Sequence, residues 1–203
     1  MTNFRNILIT RDAKKYFLNP VFLKRIWKRS KKSKSQNSKS NGRRKVVILI
    51  DTREQKYSHI TEWFDVNGIK YDRSKLYVGD YQVANDGRIS IDRKHNMQEV
   101  YCNVISEHER FRAELIRARD ADCKLVILVE DPNIRFLYDV SGWKNPRYYV
   151  WLKDKSRPKP TDSETVMKIM ARTSERYGCE WTFCRKEETA RRIVEILQPE
   201  AIQ

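Results

Sequence analysis

Residues 78–94 read VGDYQVANDGRISIDRK, and the alternation in this stretch restricts the fold more than any other part of the chain. Tyr81, Val83, Ile89 and Ile91 hold odd positions, whereas Asp80, Gln82, Arg88, Ser90, Asp92 and Lys94 hold even ones. Successive side chains of a strand point to opposite faces, so the pattern predicts a β-hairpin with one apolar and one polar face. Cross-strand partners must then share parity, because a slip of one residue turns an apolar set outward. A two-residue Asp86-Gly87 turn breaks that parity. A three-residue loop, Asn85-Asp86-Gly87, keeps it and puts Gly where left-handed backbone is needed. In this register Asp80 lies opposite Asp92 at a Cβ separation of roughly 5 Å, and Lys94 follows on the same side.

Two carboxylates held together repel, since each raises the cost of ionising the other. A hard divalent cation between them, Mg²⁺ or Mn²⁺, removes that cost. The alternative is plainer: Asp92 pairs with Lys94 or Arg88 as an ordinary ion pair.

Charge divides the 203-residue chain. Residues 1–45 hold 15 of the 42 Lys and Arg but only one of the 27 acids, a net of +14, against +1 for the rest. Such an arm suits nucleic acid or another anionic surface. Its short amphipathic pieces within residues 7–29 also fit a membrane surface or a transit peptide. The Lys/Ser/Asn run that follows is expected to be a disordered linker. No uninterrupted apolar run is long enough to span a membrane. The four cysteines have no C-x-x-C spacing and read as reduced thiols.

From residue 45 the chain alternates buried strands with helical patterns. Residues 45–51 and 124–130 are continuous apolar runs of the kind found in strands covered on both faces. Residues 57–66, a segment with Phe111, Leu115 and Ala118 on one face, a segment opening at Thr161, and residues 186–198 are expected helices. Capping boxes are expected at Asn96/Glu99 and Ser106/Glu109. Residues 141–160 are expected to be an irregular basic loop, and residues 180–184 a short strand. The fold class is α/β, a mixed central sheet flanked by helices. The domains are a basic arm (1–44), a catalytic body (45–198) and a tail (199–203).

Asp51, Arg53 and Glu54 close the first strand, and sheets of this class present functional residues at strand ends. Together, Asp51, Glu54, Asp80, Asp92 and Lys94 form a set of acids and one lysine suited to phosphodiester hydrolysis. Lys94 is placed to orient a water or donate to a phosphoryl oxygen, while Arg53 and Arg93 either clamp phosphate or hold the carboxylates. His95 is a rival general base that points away from Lys94. His59 and His108 are expected to face solvent or be satisfied locally.

Asp51-x-Arg53-Glu54, Gly79-Asp80 and Asp92-Arg93-Lys94, in that order, resemble the motifs of the XPF-type structure-selective DNA endonucleases. The signature of that family is Gly-Asp, a variable gap, then Glu-Arg-Lys with an Asp four residues beyond the Lys. Here Asp92 replaces the Glu, and Gln98, beside Glu99, replaces the distal Asp. The resemblance implies a restriction-endonuclease-like core. It makes Asp80 and Asp92 ligands of Mg²⁺ or Mn²⁺ and Lys94 the catalytic lysine. Asp51 and Glu54 complete the site, with Arg53 and Arg93 in support. It also implies action on branched DNA (flaps, forks, junctions between single and double strands) and a homodimer. The helix-hairpin-helix module that often follows such domains has no counterpart in residues 199–203. Its grip on DNA is therefore expected from Lys28, Arg29, Lys31, Lys32, Arg43 and Arg44 of the arm and Lys153, Lys155 and Arg157 of the loop. The rival reading is a non-catalytic DNA-binding or scaffold subunit of the same fold. The expected location is wherever the DNA is: cytoplasm in a bacterium, nucleus or organelle in a eukaryote.

Overall fold

The computed structural model describes residues 46–198, so the predicted arm, including Lys28, Arg29, Lys31, Lys32, Arg43 and Arg44, and the tail lie outside the described residues. In chain order the strands are β1 (Val47–Asp51), β2 (Lys70–Ser74), β3 (Tyr81–Val83), β4 (Asp86–Lys94), β5 (Lys124–Glu130) and β6 (Glu180–Cys184). The helices are α1 (Ser58–Val66), α2 (Met97–Tyr101), α3 (His108–Asp120), α4 (Pro146–Lys153), α5 (Ser163–Tyr177) and α6 (Thr189–Leu197). The strands form one mixed sheet in the order β2-β1-β3-β4-β5-β6. β2 and β1 are parallel, as are β4, β5 and β6, and antiparallel β3 joins the two groups.

Both faces of the sheet are covered. Leu125, Ile127 and Val129 of β5 pack with Met97, Phe111, Leu115, Val166 and Met170 beneath α2, α3 and α5. The intervening Val126 and Leu128 join Ile48, Ile50, Tyr81 and Ile91 against Ile60 and Phe64 of α1 and Ile193 of α6. This double burial is why residues 124–130 carry no alternation. Each large side chain removed from water here contributes about 1.5–3 kcal/mol. Asp162 caps α5 by accepting from the Thr165 amide at 2.9 Å, one residue after the expected Thr161. Gly178, with φ of 73°, ends the helix in the left-handed region.

Several expectations are corrected. The hairpin turns at Ala84-Asn85, where Asn85 has φ of 63°, and Val83 pairs with Asp86. Asp86 folds onto Arg88 instead of entering the turn, and residues 87–89 have no partner on β3. The register nearer the site is nevertheless the predicted one, Tyr81 opposite Ile91 and Gln82 opposite Ser90, because Tyr81 and Ile91 are both fully buried and fix it. Ser106 does not cap α3. α2 continues through a π-helical turn, Cys102–Ser106, and α3 starts without a side-chain cap. Residues 141–160 are not all loop: Asn145 accepts from the Arg147 amide at 3.0 Å and Pro146 opens α4. Asn-Pro before a helix is a start signal hidden by the surrounding basic residues.

Candidate active site

β4 is an unusual strand for a sheet interior. Its last five residues, Ser90, Ile91, Asp92, Arg93 and Lys94, are all buried, although only one is apolar. Alternation sends Asp92 and Lys94 to the α3 side of the sheet and Arg93, with Ile91, to the α1 side. Lys94 Nζ donates to Asp92 Oδ1 at 2.9 Å and lies 5.8 Å from the centre of the Phe111 ring. Burial works against the Lys94 ammonium, but Asp92, Asp80 and Glu99 outweigh it and raise its pKa.

Asp80 enters through the bend before β3. Gly79 has φ of 68°, and a Cβ there would fall 2.4 Å from Ser90 Oγ and 2.7 Å from the Ile91 carbonyl oxygen. Only glycine fits so close to β4. The Asp80 amide donates to the Ile91 carbonyl at 2.6 Å, and its Oδ2 accepts from the Arg93 amide at 2.8 Å. Burial, then Asp92, then Glu54 push the Asp80 carboxyl well above the usual range, against the pull of Lys94 and the Arg93 amide. Asp92 Oδ2 is buried and has no hydrogen-bond partner. Two crowded acids and an orphaned carboxylate oxygen are what a cation site looks like to the protein alone. Among the described residues no three Asp, Glu, His or Cys side chains form a ready-made cage.

The other predicted residues separate by face. Glu54 and Glu130 both bind the Arg93 guanidinium, which is fully buried, the Glu130 contact at 2.8 Å. Thr189 and His59 add contacts to Glu130 Oε1 at 2.9 and 3.3 Å. His59 is thus tied to β5 rather than facing solvent or satisfied locally, a long-range contact that helix periodicity does not reveal. Of the two roles open to Arg93, it holds carboxylates and cannot reach a phosphate. Asp51 uses both oxygens within the fold: Oδ1 accepts from the Arg53 amide and Nε, Oδ2 from Arg53 Nη2 and the Leu76 amide. Burial raises the Asp51 carboxyl, but these bonds prevail and hold it low. It locks the chain after β1, with no oxygen left over. Arg53 keeps a side chain that is 65% exposed and feels Asp80 and Glu114, with its Nε and Nη2 donated to Asp51 and the Leu76 carbonyl.

Glu114 was missed in the sequence. Its Oε1 accepts from the Gly79 amide at 3.1 Å. Burial, then Asp92, raise its pKa. The only signal is an acid three residues after Phe111, at the margin of the apolar stripe of α3. A groove of about 470 Å³ opens here, lined by Lys94, Glu99, Cys102, Phe111 and Glu114 among others. Glu99 accepts from the His95 amide at 2.9 Å and approaches Lys94 Nζ to 4.0 Å, whereas Gln98 turns to Cys102.

A family model, the ERCC4 domain, matches residues 50–196. The chain belongs to the ERCC4 domain family. Solved structures agree on the ERCC4-type fold. XPF from Aeropyrum pernix is 17% identical, with a TM-score of 0.54 over 77% of this chain and 66% of that one. XPF from the same organism in complex with DNA is 18% identical, with a TM-score of 0.51 over 75% of this chain and 64% of that one. The chain therefore spans just under two thirds of either. No curated protein matches it. The motif resemblance to the XPF type and the α/β fold are both borne out.

Lys153, Lys155 and Arg157 lie at the end of α4 and just beyond. Lys155 Nζ stands 4.6 Å from the centre of the Trp151 ring, and Arg157 pairs with Asp154 at 3.0 Å. No helix among the described residues is long and apolar enough to cross a membrane.

Proposed function

We propose that this ERCC4-domain chain is a divalent-metal-dependent DNA endonuclease that cuts branched DNA at flaps, forks or junctions. The observation that carries the reading is the Asp80–Asp92–Lys94 cluster, in which half-buried Asp80 and buried Asp92 raise the cost of each other's charge and Asp92 Oδ2 has no partner. Asp80 and Asp92 would hold Mg²⁺ or Mn²⁺. When bound, such an ion lowers the pKa of a water and offsets charge on the phosphate.

Lys94 stays protonated through its bond to Asp92 and so acts as a donor, stabilising charge on the phosphoryl oxygens rather than removing a proton. Arg93 and Glu54 hold the end of β4 against β5 and the segment after β1. Arg53, exposed beside Asp80, receives a phosphate of the bound strand. The A. pernix XPF–DNA complex supports DNA as the partner. Branched substrates and a homodimer follow from the family resemblance, and the enzyme would act where that DNA is found.

The test is full-length protein with Mn²⁺ on labelled flap, fork, junction and plain duplex DNA. The expected result is cutting of the branched forms that disappears with Asp80→Ala. Binding to forked DNA without cutting in either Mg²⁺ or Mn²⁺ would favour the scaffold reading instead.

A further inference from the structure

Helix α4 has no buried residue. Tyr148, Tyr149, Val150 and Leu152 are 42%, 55%, 46% and 45% exposed. A helix on a folded body normally buries one face, so this apolar surface lacks its partner. Six cations surround it, Lys144, Arg147, Lys153, Lys155, Arg157 and Lys159. The only acid among residues 144–159, Asp154, is taken up by Ser156 and Arg157. Below the helix a groove of about 210 Å³ is lined by Trp143, Asn145, Tyr148, Tyr149 and Pro160 among others. Asn145 Oδ1 caps α4, whereas Nδ2 is buried and has no partner.

We infer that α4 and this groove bind a single-stranded segment of DNA, with bases stacked on the aromatic rings and phosphates on the surrounding cations. The inference rests on the nuclease reading and deepens it. Non-specific single-strand sites combine a basic track with aromatic platforms, because every base offers a π-face. Rings and cations already meet here: Tyr148 and Trp151 centroids lie 5.4 Å apart with the rings tilted by 43°, and Lys155 and Lys159 sit 4.6 and 5.5 Å from the centre of Trp151. The charge argues against a basic or purely apolar protein partner, and the ring-lined groove is open to a planar base.

The site also connects to the acids. Arg147 of α4 lies over the Tyr101 ring at 5.2 Å and reaches Cys102 Sγ at 3.2 Å. Cys102 lines the groove that opens over Lys94. A single strand held on α4 is thus led to the reacting centre, so this surface selects the unpaired arm of a branched substrate.

The experiment uses full-length protein carrying Asp92→Asn, which prevents cutting, and fluorescence anisotropy with a labelled single strand and with a duplex of equal length. Tyr149→Ala is expected to weaken single-strand binding about tenfold, with duplex affinity and the salt dependence of binding unchanged, since no cation is lost. Tyr149→Phe should bind as the parent does, and bound single strand should quench tryptophan fluorescence less in Trp151→Phe. Equal loss for both DNAs, or no loss, overturns the inference. So does a change from dimer to monomer in sedimentation at unchanged single-strand affinity, or capture by anionic vesicles in preference to DNA. Failure of the wild type to cut any DNA would remove the nuclease reading while leaving the single-strand measurement readable.

Discussion

The Arg93 amide donates to Asp80 Oδ2 at 2.8 Å while the Arg93 guanidinium, on the far face of β4, closes on Glu54 and Glu130. One residue therefore ties the reactive face of the sheet to its structural face. Its backbone fixes an acid of the site, and its side chain fixes the strand that carries that backbone.

Arg93→Lys removes the planar fork that serves both carboxylates at once. Glu54 and Glu130 are then left buried with incomplete pairing, at a cost of about 3–5 kcal/mol. Urea unfolding should show the midpoint falling with little change in slope. A stability equal to wild type would mean the fork is dispensable.

Asp92→Asn keeps the shape of β4 but removes a carboxylate oxygen and half of the Lys94 pairing. Cutting of flap DNA should fall at least about a hundredfold. The Mn²⁺ taken up in a calorimetric titration should fall with it, although no DNA is present. Retained Mn²⁺ affinity would put the ion elsewhere.

Asp80→Asn should behave in opposite ways with and without metal. The folded-state pKa of Asp80 is raised, so for this acid stability declines as pH climbs from the unfolded pKa through the folded one. At neutral pH in EDTA the charge is a burden, and Asp80→Asn should raise Tm. A gain of ~1 kcal/mol corresponds to about 2–4 °C. Mn²⁺ should stabilise wild type by about 2.7 kcal/mol at a hundredfold excess over Kd, read as a raised Tm, and leave the Tm of Asp80→Asn nearly unmoved.

Gly79→Ala forces a Cβ into the Ile91 carbonyl at a residue with positive φ. The chain must move where Asp80 begins. Stability should drop by at least about 1–3 kcal/mol, and the cleavage rate should drop further than the thermal shift accounts for. Unchanged cleavage at a lowered Tm would show that Asp80 tolerates displacement.

The hairpin register at Tyr81–Ile91 and Gln82–Ser90 was legible because Tyr81 and Ile91 leave their strands only one way to face the core. β5 was legible for the same reason, being apolar on both sides. The turn at Ala84-Asn85 was not, since Asn85 and Gly87 both accept left-handed backbone and the choice fell to the Asp86–Arg88 pair. Asp51 was placed with the chemistry, and Arg93 left between clamping phosphate and holding carboxylates, because sequence shows which charges are near in the chain but not which partners they meet. Glu114 and His59 depend on contacts across dozens of residues, which periodicity cannot carry. Helix α4 was hidden because it buries nothing.

The three-residue strand β3 is the seam of the sheet, with parallel strands to either side of it. Asp92 and Lys94 come from one flank of it, and Asp80 from the bend that leads into it. The proposed chemistry therefore sits beside the shortest strand among the described residues. Warming that loosens this strand would scatter the reacting groups while the helices still hold, so the enzyme falls silent before it melts.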